Sequence, residues 1–214
     1  MTILDQLACS LGRRDEVPNQ ELARQLAAAR DAEGICEIAE ALWHKDKNIQ
    51  ADCVKVLYEV GYLAPDLVAP YALDFLKLLK SRNNRLVWGG MIGLATVGAL
   101  AAAELYPRWD EIRKAMDAGS VITKDAGVLA LAGVASADPA YNREIFPYLL
   151  EHLRTCRPKD VPQHSEKTLP AVTTENKAAF ITALEKRLED LQGAQLKRVQ
   201  KVIQAARNKG TSNG

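Results

Sequence analysis

The sequence holds few of the residue types that build metal and redox sites. Its 214 residues include 4 cysteines and 3 histidines. Cys9, Cys36, Cys53 and Cys156 lie far apart and form no C-x-x-C pair, which excludes a zinc knuckle and a dithiol redox motif. We therefore expect free thiols that mostly pack as small hydrophobic side chains.

The three histidines are also placed without a pattern that indicates chemistry. His44, His152 and His164 lie in three different settings, and we find no metal-ligand spacing to another histidine, cysteine or carboxylate. His164 falls in a proline-containing stretch beside Asp160, where we expect a solvated loop histidine and not a general base. No phosphate-binding glycine loop is present. The sequence thus predicts no catalytic residue, no metal site, no cofactor and no enzyme.

An excess of charge of one sign is missing as well. The 28 Lys and Arg residues nearly balance 27 Asp and Glu residues, which gives a net charge of +1. A protein that follows nucleic-acid phosphates concentrates Lys and Arg on one face, because counterion release supplies much of its affinity. The balance, with 48% hydrophobic and 26% charged residues, is typical of an ordinary globular protein.

The N-terminal segment does not have the order of a secretion signal. In MTILDQLACSLGRRDEVPN the acidic Asp5 interrupts the apolar part, and Arg13 and Arg14 follow that part instead of preceding it. We expect a cytoplasmic protein.

Sustained alternation of polar and apolar residues is absent, whereas helical spacing recurs between glycines, prolines and polar clusters. The sequence therefore predicts an all-α fold. Its first element is an N-terminal helix within residues 1–18, with Thr2 and Asp5 at capping-box spacing and Gly12 as a stop.

One helical stripe occurs three times, at an offset of 37 residues. Its equivalent positions are Ile49, Cys53, Val54, Leu57, Val60 and Gly61, then Leu86, Gly90, Met91, Leu94, Val97 and Gly98, then Thr123, Gly127, Val128, Leu131, Val134 and Ala135. A fixed period of this length indicates stacked helical repeats.

The first helix of the third repeat contains an apolar run that has the length of a membrane span. LVWGGMIGLATVGALAAA, residues 86–103, is uncharged and carries a Gly-x-x-x-Gly spacing at Gly89 and Gly93. The equivalent stretch one repeat earlier contains Asp52, Lys55 and Glu59. Since repeats must stack on one another to bury their faces, we expect no membrane span here.

The partner helices repeat too, and they carry a resemblance to a known family. VAPYALDFLKLL, LYPRWDEIRKAM and IFPYLLEHLRTC align on Pro70, Pro107 and Pro147, with proline in the first turn of the second helix. A helical hairpin of 37 to 40 residues with this proline resembles the HEAT repeat and its armadillo-like relatives.

The resemblance implies one right-handed α-solenoid domain over residues 1–214. About four HEAT-like repeats span residues 19–155, after the N-terminal helix. Residues 156–172 form an extended proline-containing connection, and residues 173–209 form a helix pair that closes the stack.

Such a solenoid implies a non-catalytic scaffold or adaptor that binds another protein, on the concave surface lined by the second helices. The candidate contact residues there are Lys77, Arg108, Trp109, Asp110, Arg113, His152 and Arg154. As the alternative, the chain is similar in length and repeats to bacterial DNA glycosylases that excise alkylated bases, with Trp109, Asp110 and Arg113 as the nearest equivalents in kind.

Two further features suggest a binding surface. One is also explained by a solvated basic helix end, and the other by packing in the core. The last helix is basic, through Lys197, Arg198, Lys201 and Arg207, which fits an acidic partner or nucleic acid. The outer face of the third-repeat helix becomes apolar at Val87 and Ile92, which would allow contact with a second copy of the protein.

Overall fold

The computed structural model describes residues 2–209, and all regular elements within them are helical. The α-helices are α1 (Val17–Ala29), α2 (Ala32–Glu40), α3 (Lys47–Leu63), α4 (Pro65–Val68), α5 (Ala72–Leu78), α6 (Asn84–Val97), α7 (Ala102–Leu105), α8 (Trp109–Ala118), α9 (Val121–Ala137), α10 (Pro139–Thr155), α11 (Val161–Thr168), α12 (Lys177–Glu185) and α13 (Gly193–Asn208). Short 3₁₀ helices cover Ile3–Gln6, Ala41–Trp43, Ala69–Tyr71, Tyr106–Arg108, Pro158–Asp160, Leu169–Ala171 and Leu188–Asp190.

The helices form two layers. In the first layer α1, α3, α6, α9, α11 and α13 pack side by side in chain order. The second layer consists of α2, α5, α8, α10 and α12, each packed on helices of the first. This is an all-α solenoid of helical hairpins, and the prediction of that fold class is confirmed.

The 37-residue register is visible in both the core and the helix starts. Leu57, Leu94 and Leu131 occupy the same position of α3, α6 and α9, and each is fully buried. The residues before these helices, also 37 apart, are Asp46, Asn83 and Ser120. Their side-chain oxygens accept a hydrogen bond from a backbone N–H of the first turn, which satisfies a donor that the helix cannot.

Small residues allow the first-layer helices to approach closely. A Cβ added at Gly89 would lie 2.6 Å from a methyl carbon of Val54, and one added at Gly98 would lie 2.6 Å from the carbonyl oxygen of Ala130. Gly89 and Gly98 are therefore contact points of α6 with α3 and α9, whereas Gly90 and Gly93 pack against α5. Among residues 2–209, no helix combines the length and the apolar character that crossing a membrane requires.

The N-terminal helix expected within residues 1–18 is reduced to the 3₁₀ turn Ile3–Gln6. Beyond it the backbone bonds to side chains of other elements, because the N–H of Ala8 donates to Oδ1 of Asn19 at 3.0 Å. The N–H of Cys9 likewise donates to Oδ2 of Asp52 at 2.8 Å. These bonds anchor the N-terminal segment across α1 and α3.

The expectation of an irregular connection at residues 156–172 is wrong, since this stretch contains α11 and two 3₁₀ turns. Pro158, Pro162 and Pro170 each lie at the first or second position of a helical turn, where the missing N–H has no intrahelical partner to lose. Pro147 differs from Pro70 and Pro107, because it lies inside the continuous α10 and does not open the second helix.

Candidate functional site

A groove of about 690 Å³ lies between the N-terminal segment of residues 8–16 with the first turn of α1 and the outward faces of α3 and α6, and it reaches the start of α9. Its lining residues are Ala8, Cys9, Arg13, Arg14, Asp15, Glu16, Asn19, Asn48, Ala51, Asp52, Val54, Lys55, Tyr58, Arg85, Trp88, Gly89, Ile92 and Ile122. The sequence predicts a partner surface on the second helices, which stays a prediction, whereas this groove lies on the first layer.

Equivalent outward positions along the groove carry different residues from repeat to repeat. Asp52 and Lys55 on α3 stand where α6 carries Gly89 and Ile92. The space beside Gly89 is filled by the side chain of Val54, so α3 and α6 approach closely there, and the half-buried ring of Trp88 lines the groove beside this contact.

The carboxylates of the groove are already paired with cationic or backbone N–H groups of the protein itself. Burial opposes the charge of Lys55, but ion pairs to Glu16 at 2.8 Å and Glu59 at 2.7 Å outweigh it and raise its pKa. Asp15 is paired with Arg13 at 2.8 Å, and Asp52 accepts the N–H of Cys9.

Four polar groups of the same groove are left without such partners. Among residues 2–209, the guanidinium groups of Arg14 and Arg85 form no ion pair. Within the same part of the chain, the side-chain amide of Asn48 and the indole N–H of Trp88 form no hydrogen bond. The groove thus offers free donors and an apolar ring to a ligand, and its free charges are positive.

The predicted contact residues on α8 are largely bonded to one another and to α10. Arg113 donates to Asp110 at 2.6 Å and to Asp117 at 3.1 Å. The indole N–H of Trp109 donates to Oε1 of Glu144 at 2.8 Å. The hydroxyl of Tyr148 donates to Asp117 at 2.6 Å. Hydrogen bonds between long side chains therefore join α8 to α10.

The other predicted second-helix residues are separate from that network. Lys77 pairs with Asp74 at 2.9 Å and lies 5.8 Å from the ring centroid of Trp43. Arg154 pairs with Glu151 at 3.3 Å, and Arg108 is exposed at the end of a 3₁₀ turn. None of these three residues lines the groove over α1, α3 and α6.

The predictions that His164 lies in a solvated loop and that His152 and His164 lie in different settings are wrong. His164 lies on α11 with a side chain that is 2% exposed, not in a solvated loop. Nε2 of His152 is 2.9 Å from Nδ1 of His164, and Cys156 lies beside them. Burial is the largest cause that lowers the pKa of His152, to about 4. Nε2 of His164 hydrogen-bonds Oδ1 of Asp125 at 2.6 Å.

A second groove, of about 490 Å³, borders this cluster. The sequence did carry one signal for it, because His152 and Cys156 are four residues apart, a spacing that places two side chains on one face of a helix, although Cys156 lies just after the end of α10. The contribution of α11 and α9 was not visible, since it depends on contacts over 12 and 39 residues of chain.

The basic residues of α13 divide into two kinds. Arg198 forms two bonds to Glu166, at 2.9 and 2.6 Å, and Arg207 pairs with Glu185 at 2.8 Å. Lys197 and Lys201 are exposed without an ion pair among the described residues. Half of the predicted basic surface is thus neutralised by α11 and α12.

The predicted apolar patch for a second copy is only half exposed. Val87 and Ile92 are both partly buried, and Ile92 packs against the core while lining the larger groove. Contact between copies through these two residues stays a prediction.

Comparisons with solved structures find the same architecture. An engineered protein matches 97% of this chain and 98% of its own, with a TM-score of 0.68 and 18% identity. A designed armadillo repeat protein in complex with the peptide (KR)4 matches over 96% of this chain and 97% of its own, with a TM-score of 0.66 and 17% identity. The chain has the HEAT- and armadillo-like repeat fold. No protein-family model and no curated protein matches this helical-repeat protein.

Proposed function

We propose that this helical-repeat protein is a non-catalytic scaffold or adaptor that binds an extended segment of another protein in the groove over α1, α3 and α6. The observation that carries the proposal is the set of unpartnered groups in that groove, next to an apolar ring. A designed armadillo protein that holds a peptide supports this use of the fold, by analogy.

The chemistry of the groove suits an extended chain. The free amide of Asn48 offers a donor and an acceptor together, as a peptide group requires. Trp88 and Ile92 offer apolar contact for one side chain, and aromatic anchors of this kind dominate many interfaces. Arg14 and Arg85 favour a carboxylate nearby, since Arg binds carboxylates through paired N–H groups. We therefore infer a segment with an apolar residue flanked by acidic ones.

The test is a selection from a displayed peptide library on the immobilised full chain, followed by affinity measurements with the selected peptides. Removing a central tryptophan typically costs about 2 kcal/mol or more, so Trp88→Ala should weaken binding about 30-fold or more. Trp43→Ala is the matched control, because Trp43 is 50% exposed on the other side of the stack. It should change affinity less than about twofold.

The charge of the partner is tested separately. Arg85→Glu should weaken the binding of an acidic peptide strongly at low salt and less at high salt, because salt screens the interaction between exposed charges. Binding that survives Trp88→Ala but is lost in Trp43→Ala would place the interaction elsewhere, and selection of basic peptides would refute the inferred charge.

The DNA-glycosylase alternative stays a prediction, as does the cytoplasmic location. Trp109, Asp110 and Arg113 are engaged in the α8–α10 network, and no observation in the described part of the chain favours that chemistry. Release of bases from alkylated DNA by the purified protein would establish it; we expect none.

A further inference from the structure

His152, Cys156 and His164 bring three metal-binding atoms together at the junction of α10 and α11. His152 lies in the last turns of α10, Cys156 is the residue directly after that helix, and His164 projects from α11. The ligand atoms of the three residues all lie within 4.8 Å of one another. Ligands of a tetrahedral Zn²⁺ ion lie about 3 to 4 Å apart, given bonds of about 2.0 to 2.3 Å, so small side-chain rotations suffice.

The surroundings orient these atoms in the way metal sites require. Asp125 on α9 hydrogen-bonds Nε2 of His164 at 2.6 Å, which places that ring's proton on Nε2 and leaves the Nδ1 lone pair directed at His152. A carboxylate behind a ligating histidine is the common support of zinc sites. Gln163 donates to the second carboxylate oxygen of Asp125 at 3.2 Å. Arg187 donates to the carbonyl of Cys156 at 2.9 Å and holds the backbone there.

We propose that His152, Cys156 and His164 bind one Zn²⁺ ion, and that the groove of about 490 Å³ beside them admits a water or a fourth ligand. Two imidazoles and one thiolate suit zinc, which takes nitrogen and sulfur ligands and binds an exchangeable group when the protein supplies three. This site is independent of the proposed peptide groove, which lies over α1, α3 and α6.

Binding exchanges protons in a defined way. The His152–His164 hydrogen bond gives way to two metal–nitrogen bonds, and the proton on Nε2 of His152 moves to its Nδ1. The Cys156 thiol releases its proton to solvent as the thiolate donates an electron pair to the metal. Burial raises the pKa of the Cys156 thiol, so the metal-free thiol is not an activated nucleophile.

The experiment is a titration of the chelator-treated full chain with Co²⁺ and then Zn²⁺. We expect uptake of one equivalent of Co²⁺, with a thiolate-to-cobalt charge-transfer band and the intense visible bands of a tetrahedral site, and displacement by one equivalent of Zn²⁺. Cys156→Ala should abolish the charge-transfer band. His152→Ala should weaken the affinity for metal more than about 100-fold. Asp125→Asn changes a residue that hydrogen-bonds His164 but does not itself bind the metal, so it should weaken that affinity about 10- to 100-fold.

Cys36→Ala and His44→Ala are matched controls, because they remove a half-buried thiol and a half-buried imidazole far from the cluster. Both should bind as the unaltered protein does. Circular dichroism checks that each variant is folded, and Cys156→Ser replaces Cys156→Ala if the latter is not. Absence of stoichiometric uptake, or a charge-transfer band that persists without Cys156, would overturn the proposal.

Discussion

The close approach of α6 and α9 at Gly98 makes a sharp prediction about stability. A methyl group added there would lie 2.6 Å from the carbonyl oxygen of Ala130, whereas carbon and oxygen normally approach to about 3.3 Å. The helices must therefore separate by about 0.7 Å, and overpacking of this kind costs about 1 to 3 kcal/mol. Gly98 has helical φ and ψ, so alanine recovers about 0.5 to 1 kcal/mol of backbone entropy. Because the clash is with a backbone atom, the upper part of that cost, about 2 to 3 kcal/mol, applies, and we expect Gly98→Ala to lower the free energy of unfolding by about 1 to 2 kcal/mol.

Gly127 is the matched control, because an added Cβ there meets the flexible side chain of Met116 at 3.0 Å and not a backbone atom. Gly127→Ala should change the free energy of unfolding by less than about 1 kcal/mol, since the alanine gain offsets a small shift of Met116. Urea unfolding followed by circular dichroism measures both. With an m-value of about 2 kcal/mol/M, the Gly98→Ala midpoint falls by about 0.5 to 1 M. A Gly98→Ala protein as stable as the Gly127→Ala protein would refute the close packing.

Three further substitutions, the last with a matched control, test other parts of the fold by the same assay. Leu94→Ala should cost about 2 to 5 kcal/mol as a fully buried deletion, and a loss below about 0.5 kcal/mol would show that the repeat register is wrong. Asn142→Ala should cost about 2 to 3 kcal/mol, because its amide donates to two carbonyls, those of Ala135 and Ala171; a neutral effect would mean that those carbonyls find other donors. Arg187→Met should cost about 2 to 4 kcal/mol, since its guanidinium caps three carbonyls at the end of α10, whereas Arg154→Met should stay within about 0.5 kcal/mol.

The fold could be predicted from the sequence because its information is local and repeated. The spacing of Leu57, Leu94 and Leu131 follows from one helical stripe, and each repetition confirms the register of the others. The equivalent helix caps at Asp46, Asn83 and Ser120 carry the same signal independently.

The predictions for residues 156–172 failed because the structure of this segment depends on contacts with residues far away in the sequence. Prolines 158, 162 and 170 suggested an irregular segment, yet proline is equally suited to the first turn of a helix. The burial of His164 depends on Asp125 and His152, which periodicity does not reveal.

The partner surface on the second helices stays a prediction, and the groove over α1, α3 and α6 was not foreseen for a related reason. The sequence showed that outward positions on α6 become small or apolar, but close packing and a free surface produce the same pattern. Gly89 is an example of both, because it packs closely on Val54 and also lines the groove. The unpartnered side chains of Arg85 and Trp88 become visible only once the neighbouring helices are placed.

The most direct test of the scaffold function is site-specific photo-crosslinking in cells, with benzoylphenylalanine replacing Ile92 in the groove or Trp43 on the opposite side. Both positions tolerate a large apolar group, since Ile92 borders open groove space and Trp43 is already aromatic and exposed. The account predicts a discrete protein adduct from position 92 that is lost when Arg85→Glu is added, and none from position 43. An adduct from position 43 alone would contradict it.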